Sequence, residues 1–249
     1  MKESLAINLS PDYKRLMVQS VQDGLKKYSN QYRNEFNTKT NNGRHFITWD
    51  FINTELDVLP EYKFETIVSK RGMWELVLIY DKETKWLYTL MKDKRLKQLQ
   101  QSVKKDGIHY LEALASLNAD LNDLEYEQLS MFELTSEDRK DCINKTLDEM
   151  IHTLKSDVER YALITFADIN YEITSISAYI MTEQLEIVSK ENWEEYIQAE
   201  FDLVINPIEK SHIVNNEEIE DIPLLLKVIS SNDLVAVKST EKQKQEQTK

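Results

Sequence analysis

The chain has 249 residues, of which 41% are hydrophobic and 30% are charged, and its formal net charge is −13. This composition excludes wholesale disorder, and no run approaches the roughly 18 apolar residues of a membrane span. The charge is divided unevenly, because residues 1–110 contain 19 Lys and Arg against 14 Asp and Glu, whereas residues 111–249 contain 12 against 30. Such a division points to a charged partner and carries no information about fold.

The first half of the chain predicts helices that flank three strands. Ser10-Pro11-Asp12 has the hydroxyl, proline and acid of a helix start, and apolar residues then recur every three or four positions up to Phe36. In Trp74–Tyr80 the residues on both alternating faces are largely apolar, which is typical of a central strand. The predicted elements are a helix at Ile47–Leu56, strands at Phe64–Val68, Trp74–Tyr80 and Trp86–Met91 with a turn at 81–84, and a helix from Asp93 to Gly107.

The second half repeats this order of elements with different residues. An amphipathic helix is predicted from the apolar positions between Ile143 and Val158. Three strands and a short helix follow, at Tyr161–Phe166, Ile173–Met181, Leu185–Val188 and around Trp193. Two apolar runs after Asn206-Pro207, Leu224–Ile229 and Leu234–Val237, predict a hairpin-like appendage, which either docks on the body or binds another protein.

We therefore predict an α+β protein with antiparallel sheets in two helix-strand-strand-strand-helix units and a C-terminal hairpin-like appendage. The two units are either separate or parts of one continuous core. The predicted divisions are a basic unit at 1–119, an acidic connection at 120–135, an acidic unit at 136–205, a linker and apolar appendage at 206–239, and a disordered tail at 240–249.

Rare residue types exclude several classes of site. The chain has four Gly, one Cys and four His, so it has no glycine-rich phosphate loop, no dinucleotide-binding fingerprint and no zinc-ligand spacing. We expect no cofactor, no bound metal and no catalytic residues. A single cysteine forms no internal disulfide and no apolar signal segment follows the N-terminus, so we expect a cytoplasmic protein that does not bind membranes.

The basic residues are concentrated between Lys82 and Lys105, where eight Lys or Arg face only Glu83 and Asp93. Basic side chains release counterions from a phosphate backbone, and aromatic rings offer stacking surfaces to exposed bases. The alternative is a solvated helix face with Trp86 in the core. The predicted surface for nucleic acid or a protein partner consists of Lys70, Arg71, Lys85, Trp86, Tyr88, Lys92, Lys94, Arg95 and Lys97.

Two other functions remain open. A dense carboxylate surface can imitate a phosphate backbone, so an acidic inhibitor could occupy the nucleic-acid site of a host or defence enzyme; the candidate residues are Glu191, Glu194, Glu195, Glu200 and Asp202. A metal-dependent nuclease places an acid on one strand and Glu-x-Lys on the next. Asp57 and Glu75 could supply the acids, but Val77 stands where that motif has its lysine.

Several runs carry a resemblance to a known family. They are Arg71–Asp81 (RGMWELVLIYD), Leu87–Met91 (LYTLM), His109-Tyr110-Leu111 and Tyr161–Ile197, which ends in Trp193-Glu194-Glu195-Tyr196-Ile197. In these runs the chain resembles an uncharacterised bacterial family, a domain of unknown function from low-GC Gram-positive bacteria and their prophages. The resemblance covers most of residues 30–200. It implies a bacterial cytoplasmic setting and a connection to phages, and it implies no activity.

Together these observations predict a non-enzymatic regulatory or interaction protein. We expect it to contact nucleic acid, or a nucleic-acid-processing partner, through the basic strand-helix segment from Lys82 to Lys105. The acidic inhibitor is the first alternative and the metal-dependent nuclease is the second.

Overall fold

The structure is a computed structural model that describes residues 5–28, 32–36, 39–40, 42–71, 74–101, 108–121 and 136–198. All of these residues lie in one compact unit, Met1–Ile205. Most of the predicted acidic connection and all of the predicted appendage and tail lie outside the described residues. The boundaries predicted for those segments therefore stay predictions.

Helix α1 begins and α3 ends where the sequence predicts, whereas the helix predicted between Ile143 and Val158 ends early, at Ile151. Helix α1 begins after Ser10 with Pro11, whose missing N–H costs nothing at the first helical position, and its last turn carries Lys26 and Lys27 at the negative end of the helix dipole. The described α-helices are α1 (Pro11–Lys27), α2 (Arg33–Phe36), α3 (Arg44–Leu56), α4 (Asp93–Gln101), α5 (Tyr110–Ala115) and α6 (Ser136–Ile151). Two 3-10 turns lie at Ser116–Leu121 and Glu194–Tyr196.

Six strands form one sheet, and their spatial order is their order along the chain. They are β1 (Phe64–Arg71), β2 (Trp74–Asp81), β3 (Trp86–Lys92), β4 (Arg160–Ile169), β5 (Glu172–Met181) and β6 (Ile187–Asn192). The predicted turn between β2 and β3 is confirmed, because the Lys85 N–H donates to the Asp81 carbonyl at 2.8 Å and the Asp81 carboxylate accepts from the Glu83 N–H at 2.9 Å. The helices and this sheet confirm the α+β fold class predicted from the sequence, whereas the predicted arrangement in two antiparallel units is not confirmed.

One pair of neighbouring strands is parallel. Strands β1 to β3 pair antiparallel, as do β4 to β6, and β3 joins β4 in parallel with Trp86 opposite Arg160 and Lys92 opposite Phe166. A parallel pair requires a long crossover, and α4, α5 and α6 lie in that connection. The sequence left open whether the two predicted units are separate. In the structure their strands belong to one sheet.

Helices cover both faces of the sheet. Successive residues of its strands point to opposite faces and many of them are apolar, so each face has a hydrophobic core. Helices α1 and α3 pack on one face, where Val21 and Ile52 belong to the same core as the even-numbered residues of β4, such as Ile164. Helices α4, α5 and α6 cover the other face, where Leu96 and Leu111 pack with residues such as Leu163. The described part of the chain thus has three layers, helix on sheet on helix. No described helix is both long and apolar enough to span a bilayer.

Candidate functional site

A cleft of about 780 Å³ opens at the carboxyl ends of the parallel strands β3 and β4. In sheets that contain parallel strands, ligands commonly bind in a crevice at this end, and a cavity of this volume suits a small ligand or one unit of a polymer. We call it the main cleft. It is lined by His45, Trp49 and Asn53 of α3, by Trp74–Val77 of β2, by Leu90–Lys92 of β3, by Phe166–Asp168 of β4, by Lys94, Arg95 and Gln98 of α4, and by His109 and Tyr110.

Aromatic rings form one wall of the main cleft. His45 and Trp49 are four residues apart on α3, so they lie on the same helix face, and both rings approach Trp74 at the start of β2. The His45 and Trp74 rings are stacked with centroids 5.4 Å apart, and the Trp49 ring meets Trp74 edge-on at 6.4 Å. Trp49 and Trp74 are only half-buried, which leaves ring surface open to the cleft. Such rings can stack with a planar ligand.

The floor of the main cleft is an ion pair between Lys92, the last residue of β3, and Asp168 near the end of β4. The pairing of β4 with β5 is irregular between Ala167 and Asp168, and irregularities of this kind re-aim side chains beside functional sites. The Lys92 ammonium also lies 4.2 Å from the centroid of the Phe166 ring. Both charged side chains are largely buried, so the pair is shielded from solvent ions.

The environment shifts the pKa of Lys92 on the floor and of His45 in the aromatic wall. Burial lowers the pKa of Lys92, although its hydrogen bond to Asp168 acts in the opposite direction. Burial also lowers the pKa of His45, and the nearby charge of Lys92 lowers it further. A neutral imidazole stacked on Trp74 is therefore favoured at neutral pH. Shifted pKa values that occur together in a cavity are typical of functional sites.

Two exposed cations, Lys94 and Arg95, stand at the rim of the main cleft in the first turn of α4. Among the residues that the structure describes, no carboxylate pairs with either. Lys97, one turn further along the same helix, does not line the cleft and pairs with Asp93 at 2.6 Å. The rim therefore has two positive charges available to an anionic ligand.

The other predicted surface residues do not join this rim. The Lys70 ammonium pairs with Glu75 at 3.1 Å and the Lys85 ammonium with Glu159 at 2.9 Å. Trp86 and Tyr88 are buried in the core between the sheet and α1, so neither ring offers a stacking surface, contrary to the predicted patch. The Arg71 side chain, Lys104 and Lys105 lie outside what the structure describes. Of the nine predicted residues, Lys92, Lys94 and Arg95 meet in the main cleft.

Of the predicted acidic surface, the structure describes Glu191, Glu194 and Glu195. Glu191 forms an ion pair with the Lys14 ammonium, which partly neutralises the Glu191 carboxylate. Glu194 and Glu195 are exposed on the 3-10 turn beside buried Trp193. Glu200 and Asp202 lie outside the described residues.

Residues that the sequence did not single out as a site are Trp49, Trp74, Phe166 and Asp168. The four-residue spacing of His45 and Trp49 is the sequence feature that could have indicated an aromatic wall. It does so only if the helix that carries them faces Trp74 at the start of β2, which the structure shows. Asp57 lies outside the main cleft and accepts a hydrogen bond from Thr66 at 3.1 Å. Among the described residues no group of three or more His, Cys, Asp or Glu is placed to hold a metal ion.

A second, smaller cavity of about 450 Å³ adjoins the main cleft, and we call it the side cavity. The two cavities share His45, Trp49, Lys92 and Asp168, so the ion pair on the floor faces both. The side cavity is further lined by Asn42, Arg44, Thr48 and Tyr171. Its polar lining contrasts with the aromatic wall of the main cleft.

Comparison with known proteins gives a family and no activity. A family of unknown function, DUF5986, matches residues 7–246. The chain belongs to this family. A search of curated proteins found no match, and neither did a search of solved structures. Membership of DUF5986 supports the uncharacterised family that the sequence resembles, and assigns no role to any residue of the main cleft.

Proposed function

We propose that this protein binds nucleic acid through the main cleft, as a non-enzymatic regulatory or interaction protein. The observation that supports the proposal is the arrangement of Lys94 and Arg95, which have no described acidic partner, at the rim of a cleft walled by Trp49 and Trp74. The proposal includes the bacterial, cytoplasmic and phage-related setting that the sequence resemblance implies.

The chemistry of this rim and wall suits single strands better than duplex. Exposed bases stack on aromatic rings, at about 1–3 kcal/mol for each base, whereas paired bases in a duplex are not available. The two rim cations would each neutralise a phosphate and release its counterions. We therefore expect the logarithm of the affinity to fall with the logarithm of salt concentration, with a slope of about −0.7 for each phosphate contacted.

Fluorescence anisotropy of a labelled single-stranded oligonucleotide tests the rim. The double substitution Lys94→Glu/Arg95→Glu should weaken binding at low salt by about tenfold or more and make the salt slope shallower by about 1.4. Lys97→Glu is the matched control, because it reverses a charge on the same helix outside the cleft. An unchanged affinity in the double variant, or an equal loss in the control, would contradict the proposal.

The aromatic wall is tested with a second pair of variants. Trp74→Leu should weaken binding of the oligonucleotide by about 1–3 kcal/mol, because it removes a stacking surface. Tyr62→Leu is the control, since Tyr62 is an exposed aromatic residue (80% exposed) outside the cleft. Equal affinities for the two variants would contradict stacking on Trp74.

A metal-dependent nuclease is the second candidate, because Glu75 of β2, Lys92 of β3 and Asp168 of β4 line the same cleft. Glu75 and Asp168 would supply two carboxylates and Lys92 the lysine, but Leu90 stands two residues before Lys92 where the motif has an acid, and the described residues contain no group of three side chains placed to hold a metal ion. Incubation of single-stranded nucleic acid with Mg²⁺ or Mn²⁺ distinguishes the candidates. Cleavage that Glu75→Gln abolishes would support the nuclease and contradict a non-enzymatic role.

A further inference from the structure

The main cleft and the side cavity differ in chemistry and meet at one ion pair. His45 and Trp49 line both cavities, whereas Trp74 lines the main cleft and Asn42, Arg44 and Thr48 line the side cavity. Lys92 and Asp168 face both. A ligand that fills the two cavities together would need a planar apolar part joined to an anionic part.

Arg44 gives the side cavity an available guanidinium. Its Cζ lies 4.7 Å from the centroid of the Tyr171 ring, so the guanidinium stacks on an aromatic face. No described carboxylate pairs with Arg44. Stacking leaves the edge N–H donors of a guanidinium free, and their fork matches the geometry of a phosphate group.

The charges that face the side cavity are not balanced. Arg44 and Lys92 are both positive and Asp168 is the carboxylate among the lining residues, which leaves a net charge of one positive. The charge of Arg44 is one of the influences that lower the pKa of Lys92. An anion placed here would relieve this repulsion. A phosphomonoester has three free acceptor oxygens, one more than a phosphodiester, so it can accept hydrogen bonds from Arg44 and Lys92 together.

We propose that the two cavities together bind a nucleotide that carries a terminal phosphate, with the base in the main cleft against Trp74 and the phosphate in the side cavity between Arg44 and Lys92. This inference rests on the proposed function and specifies its ligand. The phosphate belongs either to the end of a strand or to a free mononucleotide. The shared chemistry, a base joined to a phosphomonoester, is the same for both.

The test compares single-stranded oligonucleotides of one sequence that end in a 5′-phosphate, a 3′-phosphate or hydroxyls at both ends. We expect the protein to bind one of the phosphorylated strands about tenfold more tightly than the hydroxyl-ended strand, because charge-assisted hydrogen bonds to phosphate are strong. Arg44→Gln should remove this preference and leave the affinity for the hydroxyl-ended strand nearly unchanged.

Arg15→Gln is the matched control. Arg15 is also an exposed arginine stacked on a tyrosine, with its Cζ 5.8 Å from the centroid of the Tyr196 ring, and it lies outside both cavities. The control should keep the full preference for the phosphorylated strand. Thermal unfolding of both variants checks that neither substitution alters the fold.

The possible results separate this inference from the proposed function. Equal binding of all three oligonucleotides overturns the terminal-phosphate site and leaves nucleic-acid binding intact. Absence of binding to any of them contradicts the proposed function itself. Titration with a nucleoside monophosphate identifies the source of the phosphate. An affinity equal to that of the phosphorylated strand indicates a free nucleotide, and a weaker affinity indicates a strand end.

Discussion

Gly24 of α1 and Ile52 of α3 approach so closely that no side chain fits between them. A Cβ built on Gly24 would lie 2.5 Å from the Ile52 Cα and 2.7 Å from its backbone nitrogen. Both contacts are with backbone atoms, which cannot rotate out of the way. The approach therefore sets the position of α3, and with it the His45 and Trp49 rings that α3 contributes to the main cleft.

Gly24→Ala should destabilise the protein. Alanine favours a helix interior by about 1 kcal/mol over glycine. The displacement of α3 should outweigh this gain, since overpacking of a core costs about 1–3 kcal/mol. Urea denaturation should show a net loss of unfolding free energy. Gly43→Ala is the control, because its Cβ would meet only the flexible Ile47 side chain, at 3.1 Å from Cδ1. Equal stability of the two variants would show that α1 and α3 can move apart freely.

Asn118 is a buried residue whose amide links three backbone groups. Its Nδ2 donates to the Tyr161 carbonyl at 3.0 Å and the Met181 carbonyl at 2.9 Å, and its Oδ1 accepts from the Tyr161 N–H at 3.0 Å. Asn118→Ala should lower the unfolding free energy by about 3 kcal/mol, because buried polar groups lose their partners. Asn192→Ala, which removes one bond from the exposed Glu194 N–H, should cost about 1 kcal/mol or less.

The ion pair of Lys92 and Asp168 should show strong coupling in a double-mutant cycle. Lys92→Met leaves a carboxylate without its partner in a largely buried site and should cost about 3 kcal/mol. The double variant Lys92→Met/Asp168→Asn should recover part of that loss. Additive losses in denaturant unfolding would contradict coupling between the two charges. Lys85→Met, which breaks the more exposed pair with Glu159, should have a much smaller effect on the unfolding free energy.

The pair of Asp120 and Arg160 predicts a pH dependence of stability. Two hydrogen bonds from the Arg160 guanidinium, at 2.5 and 3.0 Å, lower the pKa of Asp120 below its usual value of 3.8. The unfolded chain then binds more protons in acid, so the stabilisation is present above pH 3.8 and is lost as pH falls through the folded-state pKa.

Asp120→Asn should therefore lower the unfolding free energy at neutral pH, by about 1 kcal/mol or less because the carboxylate is exposed. The difference from the unsubstituted protein should shrink in acid, as followed by urea unfolding at a series of pH values. When Arg160 is already replaced by Gln, Asp120→Asn should cause no pH-dependent change in the unfolding free energy. A difference that persists unchanged in acid would rule out this role for the pair.

The sequence predicted elements well where local chemistry determines them. The Ser10-Pro11 start of α1, the turn after Asp81 and the strand β2 all follow from residues within a few positions of each other. The strand predicted at Leu185–Val188 begins later, at Ile187, because Leu185 has a positive φ of 65° in the turn before it.

The site was predicted less well, because its residues come from distant segments. The Trp86 and Tyr88 rings point into the core because β3 is an interior strand covered on both faces, and the alternation that marked β2 as central applies equally to β3. The main cleft depends on the pairing of β3 with β4, which no local pattern specifies. Lys92 and Asp168 meet only as a result of that pairing.

The parallel pairing of β3 with β4 also has a consequence for how the chain folds as it is synthesised. Helices α4, α5 and α6 must be made before β4 exists, and until then β3 is an unpaired edge with apolar residues such as Tyr88 and Leu90. Pairings between distant residues form slowly, and bare apolar edges attract other chains. A fragment that ends at residue 119 would retain this edge permanently. We expect it to aggregate, whereas the full-length chain covers the edge once β4 has docked.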